Sequence, residues 1–591
     1  MSESKVFQAW DYAVFSCMLV ISAGIGVFFA LKPGGTGTTE EFLVGNRQMS
    51  AFPIALSLAS SFLSAITVIG SPAEVYTFGS MVLLYIFSSL ITMIITCVIY
   101  LPLFYRLNIL STYEYLSRRF NNLVRYQAVC CFLLYMFIYL GIVTYTPALA
   151  LSKVTGLNLW ISVLSTGLVC TLYTSIGGIK AVVWTDVFQI CVMVAGLLAV
   201  LIQGSIHVGG FGKVWSIAQK GGRLNFFDFD FDPRKRHTFW SILIGGTFAW
   251  TAIYCCNQAQ IQRYLACKSE REARKAIILN WFGMCMVTIT ACFCGLVMYA
   301  VYETCDPLMS NRINDPNQLA PLLVLDIFSE LPGISGLFVA SAFSGTLSTV
   351  SSGINSMSAV VMEDFISTSW KPWKYLSRSK KTLISKLLVV FFGFTSIGLA
   401  GVASLLHGNV MQISRSVDGL LLGPLIGAFT LAALCPRSNS KGTFVGVLVG
   451  LILSLWLGIG SQIYRPSDRF TETLTFSIAG CVQANVTTSS SVNITALMTT
   501  ITSVKQEQEF SILDNIYSLS YAYYTPVGCL STIFVGLIVS VLTEGAKDVD
   551  PAYLAPILHT IHRMVFKKEK IPPLSETGIQ LIEGTYLNGN C

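Results

Sequence analysis

The chain has 591 residues, of which 53% are hydrophobic and only 12% are charged, and its formal net charge is +7. Soluble domains carry about 25% charged residues, so this long chain lacks the polar surface that water requires. The composition excludes a water-soluble multidomain enzyme and indicates a protein surrounded by a lipid bilayer. It gives no sign of nucleic-acid binding, because lysine and arginine form short clusters between apolar runs.

A helix needs about 20 consecutive apolar residues to cross a bilayer, and by this criterion the sequence predicts about thirteen spans. The fold class is therefore predicted to be an all-α polytopic membrane protein. The spans are expected near residues 10–31, 52–77, 80–104, 126–152, 157–177, 181–206, 238–262, 275–302, 334–361, 383–406, 411–435, 442–463 and 522–543.

The basic clusters predict the orientation of the chain. They occupy 106–125, 263–275, 371–381, 437–441 and 567–570. If the spans simply alternate, all five clusters fall on one side, which the positive-inside rule assigns to the cytoplasm. We therefore expect a multi-pass protein of the plasma membrane with an extracellular N-terminus and a cytoplasmic C-terminus.

The long loop 464–521 gives an independent indication of the same orientation. It is rich in threonine and serine and carries acceptor sequons at Asn485 and Asn493. N-glycosylation requires the lumenal side, where the alternation places this loop, so both asparagines are predicted glycosylation sites. Cys305 and Cys481 also fall in regions predicted to lie outside, and a disulfide between them is one possibility.

The second predicted span is rich in hydroxyl residues from Ser57 to Thr67 and then reaches Gly70 and Pro72. Small residues allow close packing of helices. A helix interrupted near the midplane would instead expose carbonyls and hydroxyls, as transport sites do. The residues alone leave both interpretations open.

The ninth predicted span has six hydroxyl residues among the nine positions 344–352. The hydroxyls of Ser348 and Thr349, with the carbonyl of Gly345 one turn earlier, would supply the hard oxygen ligands that a cation such as Na⁺ needs. The alternative is that these hydroxyls bond to carbonyls in the preceding turn of their own helix.

Charged residues inside spans are costly and are functional candidates by default. Arg415 and Asp418 in the eleventh span are three positions apart and can face each other. They form either a self-contained ion pair or a site in which Arg415 faces a negatively charged substrate. Asp186, near the start of the sixth span, and Glu74, near the outer end of the second, belong to a cation pathway or gate, or lie at the interface.

At these residues the chain resembles the sodium/solute symporter family over nearly its whole length. The nearest branch contains the sodium-coupled monocarboxylate transporters, the sodium/iodide symporter and the sodium-dependent multivitamin transporter. The stretches that carry the resemblance, in order, are Trp10–Tyr12, Glu41–Gly45, Leu110–Tyr115, Pro147–Leu151, Gly177–Asp186, Arg236–Trp240 and Ser344–Thr349.

The resemblance implies a LeuT-like core of two inverted five-helix repeats, which works by alternating access with Na⁺ as the co-transported ion. One helix precedes this core and two follow it. The implied parts are an extracellular N-terminus (1–9), a first helix (10–31), the core (52–435), two C-terminal helices (442–543) with the glycosylated loop 464–521, and a cytoplasmic tail (544–591).

The resemblance also implies site residues. The family's central sodium site maps onto Ser60, Leu63, Gly345, Ser348 and Thr349. Relatives usually have alanine in place of Ser60, but the ligand there is a backbone carbonyl, so the change should be tolerated. The implied substrate cavity is lined by Phe62, Thr67, Tyr145, Trp250 and Arg415.

Thr67 favours the monocarboxylate branch, because the resemblance gives glutamine there in the iodide symporter and alanine in the multivitamin carrier. The implied function is sodium-coupled uptake of a small monocarboxylate anion such as lactate, pyruvate, nicotinate or a short-chain fatty acid. Several positions depart from the residues usual in the family, and they keep alternatives open. Arg415 and Asp418 replace apolar residues, Cys255-Cys256 replaces Gly-Val, and Thr77 replaces arginine.

The alternatives are a sodium-coupled iodide or vitamin transporter, with biotin or pantothenate as the vitamin, and a sodium-conducting solute sensor. An enzyme is not expected, because the sequence has no Ser-His-Asp, metal-binding or phosphate-loop constellation. The expected partners are thus Na⁺, a small anionic substrate and the lipid bilayer.

Overall fold

The computed structural model describes residues 7–32, 38–156, 158–404, 410–464, 470–481, 511–546 and 549–558. The predicted glycosylation sites Asn485 and Asn493 lie outside the described residues, as does most of the predicted tail. Helices dominate the described part, and each predicted span has a helical counterpart.

We number these counterparts α1 to α13. They are α1 (Ala9–Leu31), α2 (Ala51–Phe62 and Ile66–Phe78), α3 (Ser80–Leu107), α4 (Asn122–Ser152), α5 (159–177), α6 (179–208), α7 (Ser241–Cys256 and Gln258–Leu265), α8 (Glu270–Val301), α9 (Ile334–Ser369), α10 (Arg378–Ala403), α11 (Val410–Leu434), α12 (Ser440–Tyr464) and α13 (Tyr521–Leu542).

The division between α5 and α6 lies at Gly178. Helical hydrogen bonding continues over the 50 residues of Leu159–Val208, which would extend about 75 Å at 1.5 Å per residue, more than twice the hydrocarbon thickness of about 30 Å. Gly178 breaks the helical conformation with φ 61° and ψ −161°. A Cβ at this position would lie 2.8 Å from the carbonyl oxygen of Phe42, so glycine permits both the turn and the contact.

The second predicted span is a broken helix, as one of the two interpretations expected. The halves of α2 are bent by 61°, and Leu63 at the break has a non-helical ψ of 70°. Ser64 caps the second half, because its carbonyl accepts the amide of Thr67 at 2.9 Å and its hydroxyl accepts the amide of Ile66 at 3.2 Å. The break therefore precedes Gly70 and Pro72, which both lie in helical backbone.

The ninth span, α9, is the central helix of the protein. Nearly all of its side chains are buried, and α1, α2, α4, α6 and α10 pack around it. Asp11 of α1 holds its N-terminus, because one carboxylate oxygen accepts the amides of Gly333 at 3.1 Å and Gly336 at 2.9 Å. These amides have no partner within their own helix, so an acidic side chain stabilises this end.

The possible disulfide between Cys305 and Cys481 is formed. It ties the segment after α8 to the segment 470–481, which follows α12. The adjacent pair Cys255-Cys256 is fully buried in α7.

Candidate functional site

The predicted sodium ligands lie where the break of α2 meets the hydroxyl-rich part of α9. The hydroxyl of Ser60 donates to the hydroxyl of Ser348 at 2.8 Å. The hydroxyl of Thr349 lies 2.9 Å from the carbonyl oxygens of both Ser61 and Gly345. These contacts gather oxygen atoms from two helices in one buried place, and oxygens are the ligands that a hard cation such as Na⁺ prefers.

Hydroxyl groups of α9 make both kinds of contact that its sequence suggested, contacts with another helix and hydrogen bonds to carbonyls of α9 itself. Ser348 and Thr349 reach across to α2. Ser351 and Ser352 donate to the carbonyl of Ser348 at 3.0 and 2.5 Å, within their own helix. Bonding within the helix therefore accompanies the interhelical contacts and does not replace them.

Asp186 of α6 contacts this cluster of oxygens through Ser348. Its carboxylate is fully buried and accepts the hydroxyl of Ser348 at 2.6 Å and that of Ser57 at 2.5 Å. The helix packing therefore carries the side chain of Asp186 into the protein interior, beside a predicted sodium ligand.

The partner of Asp186 is Arg263, which the sequence reasoning counted only among the basic residues of a cytoplasmic cluster. Arg263 is 1% exposed and its Nη2 lies 3.0 Å from the carboxylate of Asp186. It also donates to Ser57 at 2.7 Å and to Ser352. The polar run from Asn257 to Arg263, at the end of an otherwise apolar span, was the available signal that this arginine points inward.

A cavity of about 50 Å³ adjoins the break of α2. Its wall includes four of the five residues predicted to bind substrate, and it also includes Leu63, a predicted sodium ligand. The four are Phe62, Thr67, Trp250 and Arg415. Tyr145 lies elsewhere, in the wall of a separate cavity of about 30 Å³ with Asp315 and Gln318.

Arg415 brings a positive charge into the wall of the first cavity. Its guanidinium lies 4.6 Å from the ring centroid of Trp250 and 5.4 Å from that of Tyr85, distances at which a cation is attracted to an aromatic face. Its Nη1 is 3.5 Å from the carboxylate of Asp418, whose other oxygen accepts the hydroxyl of Tyr135 at 3.0 Å. The ion pair expected from the spacing is therefore present, but it is longer than a normal hydrogen bond.

A second buried charge cluster joins the other half of α2 to α11. Arg236 binds both carboxylate oxygens of Glu74, at 2.7 and 3.0 Å, and donates to Gln412 at 2.5 Å. Beside it, burial lowers the pKa of His237 to about 4, and Nε2 of His237 lies 2.7 Å from the hydroxyl of Tyr521. The partner of Glu74 could not be predicted, because Arg236 lies 162 residues away along the chain.

The two charge clusters lie at opposite ends of α2. Ser57, in the first half, contacts Asp186 and Arg263, whereas Glu74, in the second half, contacts Arg236. The break, the predicted sodium ligands and the cavity lie between them. A central site at a broken helix is the arrangement of a multi-pass membrane transporter.

Comparison with known proteins identifies the kind of transporter. The model of the family described as "Sodium:solute symporter family" matches residues 42–450. The chain is 47% identical over 578 residues to "Sodium-coupled monocarboxylate transporter 2" of Mus musculus, covering 98% of this chain and 90% of that protein. It is 43% identical over 551 residues to "Sodium/iodide cotransporter" of Homo sapiens, covering 92% and 85%. The chain therefore belongs to the sodium:solute symporter family.

The fold has a close counterpart among solved structures. A substrate-bound outward-open Na⁺-coupled sialic acid symporter superposes with a TM-score of 0.72 at 23% identity, covering 92% of this chain and 99% of that one. The LeuT-like fold with two five-helix repeats is thus confirmed. In this chain the first helix of each repeat is interrupted, α2 at Leu63 and α7 at Asn257.

The family membership also gives the class of activity. The protein is a sodium-coupled symporter and not an enzyme, and Na⁺ is its co-transported ion.

Proposed function

We propose that the protein carries a small monocarboxylate anion into the cell together with Na⁺, from the predicted extracellular side of the plasma membrane. The observation that carries this proposal is the guanidinium of Arg415 in the wall of the central cavity, beside the predicted sodium ligand Leu63. A guanidinium matches the fork of a carboxylate and can bind it through two parallel hydrogen bonds.

Trp250 supports the same anion site. Its indole Nε1 is buried and has no hydrogen-bond partner within the described part of the chain. A buried donor without a partner costs roughly 1–3 kcal/mol, and a substrate carboxylate would supply the missing acceptor. The ring of Trp250 also contacts the guanidinium of Arg415, so the two donors belong to neighbouring side chains of the cavity wall.

The relatives support a carboxylate over other anions. The chain is 47% identical to sodium-coupled monocarboxylate transporters of Mus musculus and Homo sapiens, which cover most of its length. Thr67, which the family resemblance associates with this branch, lines the cavity together with Arg415.

Coupling follows from the break in α2. Its residues contribute both to the predicted sodium site, through Ser60 and Leu63, and to the cavity, through Phe62 and Thr67. Na⁺ held between α2 and α9 would fix the geometry of the break and so complete the cavity for the anion. The coupling free energy must be reciprocal, so the anion raises the affinity for Na⁺ by the same factor.

Uptake of labelled lactate and nicotinate into cells that express the chain tests this proposal. We expect uptake with an inward Na⁺ gradient and none above background when choline replaces Na⁺. Equal uptake in both media would overturn it. Iodide, biotin and pantothenate in the same cells test the other substrates, and current without accumulation would indicate a sensor.

Arg415→Gln tests anion binding, with surface labelling to correct for the amount of folded protein, because the change also leaves the buried charge of Asp418 without its guanidinium. This change removes the guanidinium but keeps a shorter polar side chain. We expect the carboxylate concentration for half-maximal uptake to rise about tenfold or more, because a hydrogen bond to a charged group contributes about 1.5–3 kcal/mol. Arg274→Gln, which removes a largely exposed guanidinium, should leave uptake unchanged.

A further inference from the structure

The carboxylate of Asp418 lies in the wall of the central cavity, where an incoming anion would meet a charge of its own sign. Asp418 is 3% exposed and lines the cavity together with Arg415. Within the described residues its polar partners are Tyr135, at 3.0 Å, and Arg415, at 3.5 Å. A carboxylate has two oxygens with about four acceptor sites, so Asp418 has capacity for a further donor.

A plain carboxylate at Arg415 would create an unfavourable arrangement. Two carboxylates would share one guanidinium, and like charges at close range in a buried site disfavour each other. A hydrogen-bond donor between them removes the difficulty, because it satisfies Asp418 and screens it from the substrate anion. Since the guanidinium of Arg415 and the carboxylate of Asp418 are 3.5 Å apart, the donor has to lie close to the substrate carboxylate, and the adjacent carbon is the nearest position for it.

Resting on the proposed function, we infer that the preferred substrate is a 2-hydroxy monocarboxylate whose carboxylate binds Arg415 and whose hydroxyl donates to Asp418. Asp418 is then the residue that determines specificity. A 2-keto acid presents an acceptor at this position and a fatty acid presents nothing, so neither can satisfy the aspartate.

Charge balance favours a hydroxyl over an ammonium group as the donor. The charges of Arg415 and Asp418 cancel, and with one Na⁺ at the predicted sodium site the charge of a hydroxy acid is cancelled as well, so a site loaded in this way is neutral. An amino acid is a zwitterion with no net charge and would leave the same site with one excess positive charge. Net charge inside the membrane is expensive, so the neutral combination is preferred.

The size of the cavity favours the smallest acids of this class. Its 50 Å³ corresponds to room for roughly three or four water-sized groups. A three-carbon hydroxy acid has six non-hydrogen atoms, and modest movement of the walls would admit it. Lactate, pyruvate, propionate and alanine therefore form a matched set, because they have three carbons each and differ chiefly at the second carbon.

Sodium-dependent uptake of these four compounds into cells that express the full chain tests the inference. We expect the initial rate at low concentration to be at least about tenfold higher for lactate than for pyruvate or propionate, in keeping with a hydrogen bond to a charged group. Pyruvate or propionate entering as fast as lactate would overturn the inference while leaving the proposed function intact. Alanine entering faster than lactate would overturn the charge argument and the inference with it.

Two substitutions at Asp418 separate its role in specificity from a structural role. Asp418→Val removes the acceptor, and we expect lactate uptake to fall to the level of propionate. Asp418→Asn keeps a neutral acceptor and should retain part of the preference for lactate. Glu330→Gln, which removes an exposed carboxylate, is the control and should leave the preference unchanged.

The outcomes distinguish the role of Asp418 from the proposed function. A preference for lactate that survives in Asp418→Val would overturn the role of the aspartate. If Asp418→Val does not reach the cell surface, the role of Asp418 is tested by the uptake of the four compounds in the wild type and by the preference for lactate in Asp418→Asn. Sodium-dependent uptake of nicotinate without uptake of any of the four compounds would overturn this inference alone, whereas absence of uptake for nicotinate as well would overturn the proposed function and, with it, this inference.

Discussion

Gly345 of α9 lies so close to the break of α2 that a Cβ on it would be 2.7 Å from the amide nitrogen of Ala65. Real Cβ atoms essentially never approach backbone this closely, so an alanine here must push the two helices apart at the predicted sodium ligands. We expect Gly345→Ala to reduce sodium-dependent uptake about fivefold or more, since overpacking a buried contact costs about 1–3 kcal/mol.

Uptake at several Na⁺ concentrations measures this effect, with surface labelling to correct for the amount of protein. Gly398→Ala is a matched control, because a Cβ at Gly398 would meet nothing within 4 Å. Normal uptake by Gly345→Ala would show that the contact between α2 and α9 is not needed at this point.

The hydroxyls of Ser348 and Thr349 are predicted to bind Na⁺ directly. Replacing both by alanine removes two oxygen ligands, together with the buried methyl group of Thr349. We expect the Na⁺ concentration for half-maximal uptake to rise about tenfold or more, taking roughly 1 kcal/mol for each lost ligand, while the maximal rate changes less.

Ser356→Ala is the control for this pair. Its hydroxyl donates within α9, to the carbonyl of Gly353 at 2.9 Å, so the Na⁺ dependence should be that of the wild type. If Ser356→Ala and the double variant shift the Na⁺ dependence equally, the hydroxyls of α9 act through helix stability and not as ligands.

Much of the fold could be predicted because it depends on local composition. Apolar runs of sufficient length predicted thirteen spans, each of which has a helical counterpart in the described residues, and the hydroxyl-rich stretches in α2 and α9 predicted the candidate site. The position of the break in α2 was harder, since Gly70 and Pro72 were the obvious helix breakers. The actual break at Leu63 depends on capping by Ser64 and on the contact with Gly345, a residue distant in sequence.

The buried ion pairs could not be predicted, because their partners are far apart along the chain. Asp186 and Arg263 are separated by 77 residues, and the charge of Arg263 gave the same topological signal as the exposed arginines that follow it. Tyr145 is predicted to line the central cavity, but its position on α4 places it in the wall of the separate, smaller cavity. Helix rotation and tilt decide such cases, and they are set by packing against other helices.

The losses of stability caused by substitutions at Arg236 and Glu74, which form a buried ion pair, should be strongly coupled. Arg236→Gln leaves the charge of Glu74 buried without its guanidinium, and breaking such pairs typically costs about 3–5 kcal/mol. We expect this variant to melt at a lower temperature and to reach the cell surface in smaller amounts. Glu74→Gln together with Arg236→Gln should recover part of the loss, because no uncompensated charge remains.

Thermal unfolding of the purified single and double variants measures this coupling. Arg274→Gln provides the comparison, because Arg274 and Glu270 form a largely exposed pair of the kind that contributes at most about 1 kcal/mol. Strictly additive losses for the variants at Glu74 and Arg236 would contradict coupling between the two residues.

His237 should make the protein less stable in mild acid. Burial lowers the pKa of His237 to about 4, whereas an unfolded histidine has a pKa of about 6.5. Between these values the unfolded chain binds more protons, so stability is complete above about pH 6.5 and decreases as the pH falls towards 4. At pH 5 the loss from this residue alone is about 2 kcal/mol, at 1.36 kcal/mol for each pH unit below 6.5.

The groups that face His237 are Glu74, 3.6 Å from Nε2, the neighbouring guanidinium of Arg236, and the hydroxyl of Tyr521. Attraction to Glu74 therefore limits the decrease in pKa, but burial outweighs it. Melting temperatures of the purified protein at pH 7.5 and pH 5.0 test the prediction, and His237→Gln should reduce the difference between them. The exposed His207→Gln controls for loss of a histidine as such. An equal difference in wild type and His237→Gln would mean that protonation of His237 does not contribute to acid sensitivity.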